Sequence, residues 1–120
     1  MSKRENDIER QPIKNFRELV KRYEKFGDKV AFKFKQKGKV IDITYNQFSE
    51  DVRALGTAIL NLGIDRIAVI GSNRYEWCTT YLGVTSAGKV IVPLDKALTN
   101  KEIEKRTHRS NCNYSNYSHI

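Results

Sequence analysis

The chain is poor in residues that staple or interrupt a fold: two prolines, two cysteines, two histidines and one tryptophan in 120 residues. Two cysteines, Cys78 and Cys112, are too few for the disulfide framework of a small secreted domain. The opening residues, MSKRENDIER, contain no apolar h-region, so nothing there reads as a secretory signal. No apolar run approaches the roughly 20 residues that a membrane-spanning helix needs. A cytoplasmic location with free thiols is therefore expected. Both histidines, His108 and His119, fall after Arg106. That placement leaves no base for a Ser–His–Asp or Cys–His grouping, and no carboxylate pair stands out.

What is present describes a polar globular chain. The apolar fraction is 39% and the charged fraction 30%, at a length that allows one small domain. Net charge is +8, and it is unevenly placed: residues 1–39 carry 13 Lys/Arg against 6 Asp/Glu. A basic third of this kind can meet nucleic acid, an anionic membrane or an acidic partner. The simpler reading is a solvated face, because Lys33, Lys35, Lys37 and Lys39 alternate with other residues as strand-edge charges do.

Periodicity divides the chain into three parts. Residues 1–11 are charged and expected to be disordered. Within 12–105, Asn15 followed by Glu18 marks a helix start, with Phe16, Leu19, Val20, Tyr23 and Phe26 on one face and Gly27 as the stop. A hairpin follows, with Val30, Phe32 and Phe34 alternating and Lys37-Gly38-Lys39 turning into Val40–Ile43. Thr44-Tyr45-Asn46-Gln47 reads as a capping box. The helix behind it places Phe48, Val52, Leu55, Ile59 and Leu62 together and ends at Gly63. Ile67–Ile70 and Val90–Val92 are unbroken apolar runs, as in strands covered on both faces, and Pro93 closes the second. Between them, residues 74–86 form the crossover helix of a parallel βαβ unit. Thr99-Asn100-Lys101-Glu102 caps a last helix with Ile103 as its first core residue, expected to last barely two turns. Residues 106–120, RTHRSNCNYSNYSHI, obey none of the earlier periodicities.

Four motifs carry chemistry only if their context allows it. Gly83–Val90 matches G-x-x-x-x-G-K, but Val90 stands where Ser or Thr should hold magnesium. A helix also leads into it and a strand leads out, the reverse of a phosphate loop. The expected structure is a helix end, with Gly88 at the cap and Lys89 near the negative pole. Gly71-Ser72-Asn73 has the right order but lacks the further glycines of a dinucleotide site, so Ser72 or Asn73 is read as a plain helix cap. Asn73–Trp77 joins a charge pair to two large aromatics; it could line a groove, and packing under a neighbouring element is the favoured reading. His108 and Cys112, four apart, lack the further ligands of a zinc site. Asn113-Tyr114-Ser115 and Asn116-Tyr117-Ser118 are formal sequons without a secretory context.

Three phrases resemble the adenylate-forming, or AMP-binding, superfamily of acyl-CoA synthetases, luciferases and peptide-synthetase adenylation domains. Ile43-Thr44-Tyr45-x-x-Phe48 is similar to an early family signature, and Leu82-Gly83-x-x-x-Ala87-Gly88-x-x-x-x-Pro93-Leu94-Asp95 to a second. Ile67–Gly71 with Asn73-Arg74-x-Glu76-Trp77 resembles the long-chain fatty acyl-CoA synthetase branch. The resemblance, over about residues 12–105, implies an α/β fold: the N-terminal portion of a large domain, a β-hairpin plus an incomplete parallel βαβ sheet with flanking helices.

It also implies a parent activity. An acid and ATP·Mg²⁺ would give an acyl-adenylate, from which coenzyme A displaces AMP. The family's Ser/Thr/Gly-rich loop, adenosine contacts and C-terminal lysine have no counterpart in these residues. No catalytic, cofactor-binding or metal residue is therefore assigned, and the chain alone is expected to be inactive. ATP, magnesium, coenzyme A and fatty acid belong to the implied parent, which a separately encoded remainder could complete. The departure at Arg106 is read as a frameshift or premature stop. With so little sheet, the isolated chain is expected to be marginal or aggregation-prone. The rival reading is a small basic module contacting nucleic acid or anionic membrane, although no nucleic-acid partner is expected.

Overall fold

The computed structural model describes residues 11–110, 112 and 118–119, the last two as backbone. Residues 1–10, most of the segment after Ser110, and the Asn113 and Asn116 acceptors of both sequons lie outside the described residues.

Helix α1 (Phe16–Tyr23) starts where the Asn15 side chain accepts from the Glu18 N–H at 2.9 Å. A 3₁₀ turn, Glu24–Phe26, brings the chain to the hairpin of β1 (Val30–Gln36) and β2 (Lys39–Thr44). Only Lys37 and Gly38 lie between the paired strands, and both have positive φ, +49° and +77°. Two left-handed residues match the right-handed twist of the strands they join.

Helix α2 (Tyr45–Leu62) begins with half of the expected capping box. The Thr44 hydroxyl accepts from the Gln47 N–H at 3.2 Å, but the Gln47 amide turns outward and donates to Asp51 at 2.9 Å. Donation from the amide N–H to a carboxylate one turn ahead is charge-assisted, and so stronger than the neutral bond that Gln47 would accept from the Thr44 N–H. The buried stripe of α2 runs through Phe48, Ser49, Val52, Gly56 and Ile59, while Leu62, expected in the core, is 71% exposed. Phe16 is likewise exposed, because both residues lie at helix ends beyond the packed layer.

Strand β3 (Arg66–Ile70), helix α3 (Tyr75–Ser86) and strand β4 (Val90–Leu94) form the expected parallel unit. Pro93 does not end β4; it sits inside the strand opposite Val69. β4 is an edge strand, where a missing N–H faces no neighbour. β4 is accordingly covered only in part, unlike β3, whose Ala68, Val69 and Ile70 are buried.

Helix α4 (Asn100–Arg109) has the complete capping box: Glu102 accepts from the Thr99 N–H at 2.7 Å, and Thr99 accepts from the Glu102 N–H at 3.3 Å. It runs ten residues, past the expected two turns, with Thr107 buried and its hydroxyl donating to the Ile103 carbonyl at 2.8 Å. The capping box holds the first turn without an apolar period, and in the last turn the buried Thr107 hydroxyl is satisfied. Beyond it, Ser118–His119 form β5, parallel to β3 at Val69 and Ile70. Main-chain pairing to an open strand edge requires no side-chain pattern, so the sequence carried no signal for it.

The core lies where α1, α2 and α3 meet the hairpin. Val20, Phe48, Val52 and Leu82 are buried together, with Tyr23, Phe32, Ile43, Tyr75 and Tyr81 packed around them. Ser49, buried beside this cluster, has its hydroxyl satisfied: it donates to the Val20 carbonyl at 3.4 Å.

Candidate functional site

The phosphate-loop look-alike is a helix C-terminus. Ala87 is the cap of α3, and Gly88 follows in the left-handed region at φ +77°. The Gly88 N–H donates to Thr85 and the Lys89 N–H to Val84, both at 3.1 Å. This pair of bonds is a Schellman motif, which consumes the backbone donors that a phosphate would need. The Lys89 ammonium is also taken: it sits 2.7 Å from the Asp65 carboxylate, and that bond holds the exposed Asp65 carboxyl below its usual range. Gly83-Lys89 thus closes a helix.

At the other end of α3, neither Ser72 nor Asn73 caps the helix. The N-cap position is Arg74, whose side chain makes no capping bond. The chain leaves β3 through residues 71–74, and the helix begins one residue later than an Asn73 cap requires and two later than a Ser72 cap requires. Asn73–Trp77 meets both readings given above. Tyr75 packs inward, its ring 5.1 Å from Phe32 and 5.8 Å from Phe48. Its hydroxyl donates to Asp51 at 2.5 Å. Burial, together with this bond to an anion, raises the Tyr75 pKa well above the ordinary tyrosine value. Trp77 stacks on Tyr81 at 5.3 Å on another side of the helix.

The same helix turn also walls a cleft. Phe32, Phe34 and Lys35 of β1 line a space of about 570 Å³ together with Arg74, the N-cap position of α3, and Tyr75 and Cys78 within that helix. Burial pushes the Cys78 thiol up, which leaves it a weak nucleophile. Burial likewise raises Cys112, with Arg66 partly opposing the shift. His108 lies on α4 and Cys112 beyond its end. Among the described residues no three His, Cys, Asp or Glu side chains gather as a metal set. The lysine series of the hairpin is exposed, and Lys33 lies 3.4 Å from Asp42.

The family signatures fall at joints of the fold. Thr44 and Tyr45 join β2 to α2, and Gly83–Asp95 spans the end of α3, its Schellman turn and β4. Residues 19–115 match the AMP-binding enzyme family. The chain belongs to this family. Among curated family members it is 30% identical over 93 residues to the mitochondrial medium-chain acyl-CoA ligase ACSF2 of Danio rerio. That match covers 75% of this chain and 15% of the ligase. It is 32% identical over 71 residues to the long-chain-fatty-acid–CoA ligase ACSBG1 of Rattus norvegicus, covering 57% of this chain and 10% of that one.

Among solved structures, the N-terminal subdomain of Klebsiella oxytoca NpsA superposes with a TM-score of 0.72 at 19% identity. It covers 90% of this chain and 29% of that one, and at such identity it speaks for the fold alone. The expected α/β architecture of an adenylate-forming N-terminal region is thereby established. The curated relatives are acyl-CoA ligases, long-chain ones among them, as Asn73-Arg74-x-Glu76-Trp77 implied. The chain spans only about a tenth to a seventh of their length.

Proposed function

We propose that this chain forms an N-terminal scaffold of an ATP-dependent ligase that joins a fatty acid to coenzyme A. In such a ligase the acid's carboxylate oxygen bonds to the α-phosphorus of ATP and pyrophosphate leaves. The coenzyme A thiol then bonds to the acyl carbon and AMP leaves. The observation that carries the reading is the family match over residues 19–115, whose curated relatives bear acyl-CoA ligase names. The support from these residues is architectural: Thr44 starts a helix, and Gly83 and Gly88 let α3 pack and turn into β4.

The scaffold is proposed to be inactive alone, because its sequence offers no Ser/Thr/Gly-rich phosphate loop and its Gly88-Lys89 donors are already bonded. A cytoplasmic setting is part of the same proposal. Acyl-CoA formation from laurate or palmitate, ATP and coenzyme A tests it. The chain alone should give no product, and mixing it with a family ligase truncated to lack the matched segment should restore turnover. Turnover by the chain alone would overturn the inactive-scaffold reading. Salt-sensitive capture by anionic vesicles or nucleic acid, with no restored turnover, would favour the basic-module reading.

A further inference from the structure

The cleft between β1 and the start of α3 shares Asn73, Arg74 and Glu76 with the phrase that resembles the long-chain branch, and Phe32 and Tyr75 with the margin of the core. Its volume, about 570 Å³, lies in the range of small-molecule sites, roughly 300–1,000 Å³. Its apolar wall is aromatic: Phe34 stacks on Tyr75 with their planes 21° apart, and Phe32 meets the Tyr75 ring edge-on. Its rim is cationic. Lys35, Lys37 and Arg74 line it, and among the described residues none of the three forms an ion pair or side-chain hydrogen bond. Lys33 is excluded from that tally by Asp42. Against three unpaired cations the cleft offers one carboxylate, Glu76.

These cations come from the hairpin and from the residue before α3. Lys35 is fixed in β1 opposite Val40, Lys37 sits at the hairpin turn, and Arg74 precedes the first residue of α3. Solvation alone would let such charges spread over the surface; here all three line one concavity that also has an aromatic wall. The core side of Tyr75 is already bonded through Asp51, so its ring is held rigidly as a platform.

We infer that this cleft binds a small organic anion, a carboxylate or phosphate carried on an apolar or aromatic body. The anion would lie between Lys35, Lys37 and Arg74, and the body against Phe34 and Tyr75. This inference stands apart from the ligase reading, since it concerns binding to this chain and not turnover.

The test is amide NMR titration of the full chain with three probes: laurate below its micelle threshold, adenosine monophosphate and inorganic phosphate. Saturable shifts are expected at Phe34, Lys35, Arg74 and Tyr75 with at least one organic anion. Laurate would identify an aliphatic source and adenosine monophosphate an aromatic one. The double variant Lys35→Gln/Arg74→Gln should weaken binding by about tenfold, and Lys39→Gln, outside the cleft, should not. Well-dispersed spectra establish that each variant is folded. Shifts absent from these amides with both organic anions overturn the inference. So does a double variant that binds as the parent does, or inorganic phosphate binding as tightly as the organic anions.

Discussion

The carbonyl oxygen of Gly83 lies 3.2 Å from the point where a Cβ on Gly56 would stand. The two glycines face each other where α2 crosses α3, and backbone meets backbone there without side chains between. A Cβ on Gly83 would in turn come within 2.9 Å of Leu55 Cδ2 and 3.2 Å of its Cβ. Gly83 belongs to the second family signature, and this approach is a physical reason for it.

Gly83→Ala should therefore destabilise the chain. Helix propensity favours alanine by about 1 kcal/mol, but overpacking costs about 1–3 kcal/mol, and the contact includes the Leu55 stem and not only its flexible end. Gly56→Ala should also destabilise, because its obstacle is a backbone carbonyl. Urea midpoints of both variants check this. Recovery of Gly83→Ala by Leu55→Ala in a double-mutant cycle would locate the strain.

Tyr75→Phe should cost about 1.5 kcal/mol, since it takes one hydrogen-bond donor from the Asp51 carboxylate, leaves the Gln47 amide on it, and keeps the ring. The loss should depend on pH. The folded chain holds the Tyr75 proton more tightly than the unfolded chain, whose tyrosine value is 10.0. This contribution is complete below pH 10 and is lost as pH rises through the folded value. Stability measured from neutral pH upward should fall more steeply above pH 10 in the parent than in Tyr75→Phe.

Val90→Thr completes the phosphate-loop consensus on paper and should create no nucleotide site. The Gly88 and Lys89 N–H groups remain bonded to Thr85 and Val84, and Lys89 to Asp65. Titration calorimetry with ATP·Mg²⁺ should give the same baseline for parent and variant. Gly88→Ala, with open space for its Cβ but φ at +77°, should cost about 1 kcal/mol through backbone conformation alone.

Much of the architecture was legible because local chemistry and global packing agree. The Asn15 and Thr99 caps, the Lys37-Gly38 turn and the Gly88 stop all appear where their residue types demand. What was not legible depended on partners distant in sequence. Gln47 found Asp51 instead of the backbone, Leu62 overran the layer that buries Ile59, and Tyr75 revealed its hydroxyl bond only once α2 lay beside it. The cleft shows the same limit. Lys35 and Arg74 are separated by 39 positions, and no periodicity announces that a hairpin and a helix start will face each other. The helix from Thr99 persisted past Arg106 because a capping box and a buried threonine need no apolar repeat.

Thr99→Ala should remove the hydroxyl half of that capping box and cost about 1 kcal/mol locally. Faster amide exchange confined to α4 is the expected signature. The Glu102 carboxyl, held below its usual range by the Thr99 backbone N–H, should rise toward an ordinary value if the turn frays.

The most direct test of the scaffold reading is ATP–pyrophosphate exchange by the purified chain, with laurate or palmitate and Mg²⁺. The expected result is exchange at the no-protein background at every acid concentration, from a chain whose spectra show it folded. Saturable, acid-dependent exchange would contradict it, because it would require an adenylation centre within these 120 residues.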